Sequence, residues 1–137
     1  MKTLSAIKYL LVFFLFAGMG CEETTLEQGF TIGKESGFLV NQLYTSADGL
    51  YTLKITEISD SRCAEGVQCV WQGEVTLKGE WTDNNNKSNF EIHSVISAQT
   101  KQPTGYTIQI VDAKPYPKYG TEHKLSDLVV TLLIQKK

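Results

Sequence analysis

The segment at residues 60–74 (DSRCAEGVQCVWQGE) holds the side chains of this chain that are best suited to chemistry. Arg62 offers a guanidinium, which binds carboxylate and phosphate groups through paired hydrogen bonds. Trp71 offers an indole, whose face attracts cations and packs against apolar groups. Asp60 lies two residues before the arginine and is its nearest anionic partner in sequence. We therefore take Asp60, Arg62 and Trp71 as the candidate binding residues.

Arg62 and Trp71 allow two interpretations. In the first, they form a recognition surface for an anionic or sugar ligand. In the second, Trp71 belongs to the core, and Arg62 binds nearby carboxylates or backbone carbonyls. Trp71 has the same parity as Val75 and Leu77 in an alternating run, which favours burial and therefore the second interpretation.

The three cysteines have different expected roles. Cys21 follows an N-terminal export segment, which leaves Cys63 and Cys69 as a pair. An even number of remaining cysteines in an oxidising compartment predicts a disulfide. A metal site would need two further ligands at close spacing, and the sequence offers none there. We therefore predict a Cys63–Cys69 disulfide and neither a metal site nor a cofactor.

The N-terminal residues have the organisation of an export signal. Two lysines give a basic start, and residues 9–17 (YLLVFFLFA) form an apolar run shorter than the roughly 20 residues that cross a bilayer. Small or flexible residues then lead to Cys21. This arrangement resembles a bacterial lipoprotein signal, although Gly18 replaces the large aliphatic residue that usually begins its cleavage motif. The resemblance implies cleavage before Cys21 and a lipid anchor on its thiol; an ordinary secretory signal is the alternative.

These expectations divide the chain into a signal peptide at 1–20, a lipidated cysteine with a flexible polar tether at 21–28, and one domain at 29–137. Removing the signal takes away two lysines and no acid, which leaves 11 basic and 15 acidic residues and a net charge of −4. Nucleic acid binding needs clustered cations, which this chain lacks. We expect a cell-envelope location at the outer membrane, on its periplasmic or surface-exposed face, with an envelope protein or glycan as partner and no nucleic acid.

The domain has the alternation of apolar and polar residues that is typical of β-strands. Four runs alternate and a fifth is almost continuously apolar, at residues 50–58, 70–81, 90–96, 106–110 and 128–134. Turn-forming residues separate the runs, and helical periodicity is confined to one turn at 124–127. The sequence predicts six to eight strands in an all-β domain, a single antiparallel β-sandwich of immunoglobulin-like or small-barrel form with one disulfide-stapled loop.

The segment at 60–74 also resembles the marker motif of a family of small exported bacterial proteins, many of them lipoproteins. That motif is Asp-Ser-Arg-Cys-Pro, four residues, then Cys-x-Trp-Ala-Gly. Seven positions match it: Asp60, Ser61, Arg62, Cys63, Cys69, Trp71 and Gly73. Ala64 replaces the usual proline and Gln72 replaces the usual alanine. The family has no established activity, so the resemblance implies a compartment and a fold class and names no ligand.

The sequence contains no recognisable catalytic arrangement. His93 and His123 are far apart, neither accompanies a nucleophile-elbow sequence, and we expect both on the solvent side. Residues 83–86 (DNNN) lack the spacing of a calcium loop and predict a polar hairpin turn. We therefore expect a non-catalytic binding or structural module rather than an enzyme. The alternatives are a small-anion or glycan-binding module centred on Arg62 and Trp71, or a hydrolase with an unrecognised site.

Overall fold

The computed structural model describes residues 28–95 and 100–137. The predicted signal peptide at 1–20, the lipidation site Cys21 and all but the last residue of the predicted tether lie outside the described residues. Within the described part, the fold is all-β, with two sheets in a sandwich-like arrangement and one disulfide. The predicted fold class is confirmed.

Eight strands and one short 3-10 turn account for the regular structure of the described residues. The strands are β1 (Gly29–Phe30), β2 (Glu35–Phe38), β3 (Leu43–Ser46), β4 (Tyr51–Asp60), β5 (Val75–Asp83), β6 (Asn86–His93), β7 (Tyr106–Lys114) and β8 (Val129–Lys136). One sheet has the order β1-β3-β4-β5-β6 and the other has the order β2-β8-β7. Neighbouring strands are antiparallel, except that β1 runs parallel to β3.

Alternate side chains of the long strands fill the space between the sheets. In β5, Trp81 is buried, stacks on Tyr51 with ring centroids 5.4 Å apart, and contacts Tyr106 at 5.0 Å. Gly79 lies opposite Phe90, and a β-carbon at residue 79 would overlap the Phe90 ring. The glycine therefore lets an aromatic ring pack directly on the backbone of the neighbouring strand.

The apolar run at 128–134 forms most of β8, the central strand of the second sheet. Its buried side chains face the core, and they are Leu128, Val130, Leu132 and Ile134. Val129, on the opposite face, is exposed, and Leu133 is partly exposed. The strand therefore closes the core with one face rather than being buried on both.

Two local predictions are confirmed by the backbone. Asn84 and Asn85 both have positive φ, 45° and 71°, and they link β5 to β6 in the two-residue turn that such residues favour. A 3-10 turn at Leu125–Asp127 occupies the predicted helical turn. The Asn84-Asn85 turn lies at the Tyr51 end of β4, because Tyr51 pairs with Asp83. The segment at 60–74 begins at the opposite end of the sandwich.

Candidate functional site

The segment at 60–74 joins β4 to β5 as a loop with two paired arms. The amide of Ser61 donates to the carbonyl of Glu74 at 2.9 Å, and the amide of Cys63 donates to the carbonyl of Gln72 at 2.8 Å. The Ser61 hydroxyl donates to the Glu74 carbonyl at 3.0 Å and accepts from the Glu74 amide at 3.1 Å. These bonds hold the arms together where they leave the sheet.

The predicted Cys63–Cys69 disulfide is present, with Cα atoms 6.0 Å apart. It closes a loop of seven residues at the tip of the segment. By the chain-entropy account, a loop of this length is stabilised by about 2 kcal/mol. Every residue from 65 to 72 is exposed. The conformation of the tip is therefore held by the disulfide and by contacts with the neighbouring loop rather than by packing in the core.

A buried ion pair lies at the base of this loop. The Asp60 side chain is only 1% exposed, and Arg62 donates to it from Nε at 2.8 Å, from Nη2 at 2.6 Å and from its amide at 3.1 Å. Arg62 also donates from Nη1 to the carbonyl of Ala113 at 2.7 Å and from Nη2 to the carbonyl of Pro115 at 3.2 Å. The guanidinium thus ties the end of β4 to the end of β7 and the residue after it.

Two aromatic side chains cover the pair. The ring of Tyr116 lies against the guanidinium of Arg62, with 4.6 Å from Cζ to the ring centroid. His123 places Nε2 3.3 Å from Oδ2 of Asp60, without hydrogen-bond geometry, and its side chain is 18% exposed. The expectation that His123 is a solvent-side residue is therefore wrong, because the chain after β7 folds back over Asp60.

His93 is likewise more enclosed than expected. Its Nδ1 lies 3.2 Å from the Thr76 hydroxyl and 3.3 Å from a carboxylate oxygen of Glu74. Its side chain is 17% exposed, because Thr76 on β5 and Glu74, the residue before that strand, lie against the ring. His93 does lie on the outer face of the sheet, as its place among the polar residues of the strand predicts, but neighbouring polar side chains partly cover the ring.

The ion pair controls the ionisation of Asp60. Burial alone would raise the pKa of this carboxyl group, but the hydrogen bonds from the Arg62 side chain and amide, together with its positive charge, hold the pKa below its usual value. The same hydrogen bond and charge raise the pKa of Arg62. Both groups are therefore charged throughout the physiological pH range.

Trp71 is 61% exposed, and the interpretation that it belongs to the core is wrong. The strand predicted from residue 70 begins only at Val75, so the parity of Trp71 does not carry over to Val75 and Leu77. Arg62 does bind a carboxylate and two carbonyls, as that interpretation expected. The recognition-surface interpretation thus describes Trp71, which is exposed, and the structural interpretation describes Arg62.

Gly73 separates Trp71 from the strand. Its φ is 71°, which L side chains rarely adopt, and a β-carbon there would overlap the carbonyl group of Ser61. Glycine is required because the two arms approach so closely at this point. Trp71 therefore precedes the strand, which begins at Val75, and it is exposed rather than packed in the core.

Six of the seven matched motif residues thus take part in holding the loop: Asp60, Ser61, Arg62, Cys63, Cys69 and Gly73. Trp71 differs from them. Among the described residues, its side chain makes no hydrogen bond, ion pair or aromatic stacking contact. Within this segment, Trp71 is the motif residue that is available to a partner.

A second loop, at residues 115–120, lies beside the stapled loop. The amide of Glu65 donates to the carbonyl of Pro117 at 2.9 Å, and the amide of Tyr119 donates to the carbonyl of Glu65 at 3.1 Å. The Tyr119 side chain is 75% exposed. We define the loop face as the exposed apolar side chains of these two loops: Val67, Val70, Trp71, Tyr116 and Tyr119.

The two tyrosines of the loop face were missed by the sequence analysis. The sequence at 115–119 (PYPKY) indicates a turn because of its prolines. A predicted turn does not show which other segment of the chain it will contact in the folded domain. Its pairing with the stapled loop is a contact between residues about 50 positions apart. The alternation of proline and tyrosine was the only local feature that could have marked this turn as a candidate for exposed aromatic side chains.

Residues 28–95 and 100–137 contain no group of three or more His, Cys, Asp or Glu side chains able to hold a metal ion. Over the same ranges, no helix has the length and apolar character needed to cross a membrane.

Comparison with protein families, with curated proteins and with solved structures finds no significant match to this chain. The fold and the loop therefore define its class by themselves. It is a small all-β domain with two sheets, whose stapled loop is fixed at its base by a buried ion pair and presents exposed aromatic side chains.

Replacing Asp60 by asparagine tests the buried pair. We expect Asp60→Asn to lower the free energy of unfolding at pH 7 by about 3–5 kcal/mol, because the substitution leaves Arg62 without its counter-charge. The folded-state pKa of Asp60 is lowered, so its stabilisation is complete above about pH 4 and is lost as pH falls through that lower value.

The measurement is urea unfolding of both chains between pH 7 and pH 2. The difference between wild type and Asp60→Asn should shrink towards the acid end of this range. Asp127→Asn is the control, since that carboxylate is exposed and forms no ion pair with any of the described residues. A difference that stays constant down to pH 2 would show that the charge of Asp60 does not stabilise the fold.

Proposed function

We propose that this chain is a cell-envelope lipoprotein whose β-sandwich is a non-catalytic binding module. The observation that carries the proposal is the exposed indole of Trp71 on a loop that is fixed by a disulfide and by a buried ion pair. A loop that is already fixed loses little conformational freedom when it binds, so more of the contact energy contributes to affinity. Trp and Tyr are also the residues that most often dominate binding interfaces.

The location is inferred from the N-terminal sequence and agrees with the disulfide. The basic start, the short apolar run and Cys21 support export and lipidation, and a disulfide fits an oxidising compartment. The seven residues after Cys21, up to Gln28, span at most about 25 Å when extended. We propose that they hold the domain close to the outer membrane, on its periplasmic or surface-exposed face.

The alternative of a small-anion site centred on Arg62 gains no support from the geometry. The Arg62 side chain is 11% exposed, and its donors already bind Asp60 and two backbone carbonyls. An incoming anion would have to displace a buried carboxylate. A glycan or protein partner that contacts Trp71 requires no such displacement. The hydrolase alternative has no specific observation in its favour among the described residues.

Replacing Trp71 by alanine tests the binding function. We expect immobilised full-length protein to retain an envelope component from detergent-solubilised membranes, and Trp71→Ala to retain at least about tenfold less. The matched control is Leu43→Ala on β3, since Leu43 is also 61% exposed but lies outside the loop face. Equal retention by wild type and Trp71→Ala, with both chains folded, would contradict the proposal.

Replacing Cys21 by alanine tests the membrane anchor. Cells grown with an alkyne-labelled fatty acid should incorporate the label into the wild-type chain and not into Cys21→Ala, because the thiol is the acceptor. The variant should also leave the membrane fraction. Cys63→Ala is the control and should keep the label. A label that persists in Cys21→Ala, or one that is missing from the wild type, would exclude lipidation at this residue.

A further inference from the structure

We propose that the loop face binds a folded protein, with Val70 and Trp71 entering an apolar cleft of that partner. The inference rests on the proposed binding function and names its class of partner. Val70 is 110% exposed, which means that the residue is more accessible than in an extended reference chain. Together with the exposed residues on both sides, this makes the tip of the stapled loop convex.

Convexity favours a large partner with a cleft over a small ligand. Small ligands are held in concave sites that enclose most of their surface, and a projecting loop cannot enclose a ligand. A projecting loop can instead be enclosed by its partner, as happens when long binding loops insert into concave surfaces of proteins. The loop of this chain is fixed by its disulfide and by hydrogen bonds to residues 117 and 119, which suits it to that role.

The side-chain types of the loop face favour a protein over a glycan. Trp71 could stack on either, but Val70 and Val67 offer only methyl groups to a partner. Hydroxyl groups of a sugar pressed against these methyl groups would lose hydrogen bonds to water without replacement. Apolar side chains in a protein cleft would lose none. An aromatic residue surrounded by apolar contacts is the usual composition of the centre of a protein interface.

The charges near the loop face favour a protein over a bilayer. Lys118 is 3.8 Å from the Glu65 carboxylate, and Lys114 is 2.9 Å from the Asp112 carboxylate, so these lysines are offset by their own neighbours. The chain after residue 20 carries a net charge of −4. Attraction to the anionic surface of a bacterial membrane needs a cluster of unpaired basic residues. The loop face therefore matches an apolar cleft with little net charge.

Photo-crosslinking of the full-length chain in intact cells tests this inference. Benzoylphenylalanine replaces Val70 in one chain and, as matched controls, Leu43 or Asn85 in two others. Leu43 is exposed on β3, and Asn85 lies in the turn at the opposite end of the sandwich. We expect one discrete adduct from position 70, which is destroyed by protease and absent from both control positions.

The adduct should also depend on Trp71. We expect it to be lost when Trp71→Ala is added to the chain with the probe at position 70. The captured protein, identified by mass spectrometry and purified, should bind the wild-type chain with a Kd that rises at least about tenfold in Trp71→Ala and less than twofold in Leu43→Ala. Thermal unfolding of each variant ensures that a lost adduct does not reflect a lost fold.

The remaining outcomes overturn the inference in distinguishable ways. Adducts from position 70 that contain only glycan or phospholipid would leave the binding function standing and exclude the protein partner. Adducts from Leu43 or Asn85 alone would place any binding outside the loop face and overturn both proposals. A complete lack of adducts from all three positions, in folded chains, would also overturn both.

Discussion

The buried ion pair between Asp60 and Arg62 is the interaction on which the geometry of the stapled loop depends. A carboxylate that is 1% exposed would be costly to bury alone, and the guanidinium offsets this cost with two side-chain hydrogen bonds and its charge. The same guanidinium binds the carbonyls of Ala113 and Pro115. One side chain therefore fixes where the loop leaves the first sheet relative to the end of the second.

The disulfide and Gly73 act on the loop that this pair positions. The disulfide restricts the tip, while Gly73 permits the close approach of the two arms. With the motif residues around it engaged in these contacts, Trp71 remains directed to solvent. An exposed indole contributes nothing to the core, and burying it against a partner would contribute about 2–3 kcal/mol. This contrast is the physical basis for assigning a binding role to the loop face.

The sequence predicted the features that depend on local pattern, and it failed where a contact between distant residues decides the outcome. Alternation predicted the sandwich, and cysteine number predicted the disulfide. The parity of Trp71 led to a wrong prediction of burial, because alternation indicates a shared face only along a continuous strand. Gly73, at positive φ, interrupts the extended conformation between Trp71 and Val75. The partial burial of His123 accompanies its contact with Asp60, which no local pattern encodes.

Iodide quenching of tryptophan fluorescence in the full-length chain tests the central claim, that Trp71 is presented to solvent while Trp81 is buried. The account predicts two components, a red-shifted emission that iodide quenches and a blue-shifted emission that it does not. Trp71→Phe should remove only the quenched component. A wild-type emission that is entirely blue-shifted and resistant to iodide would contradict the account, because Trp71 would then be covered by the protein itself.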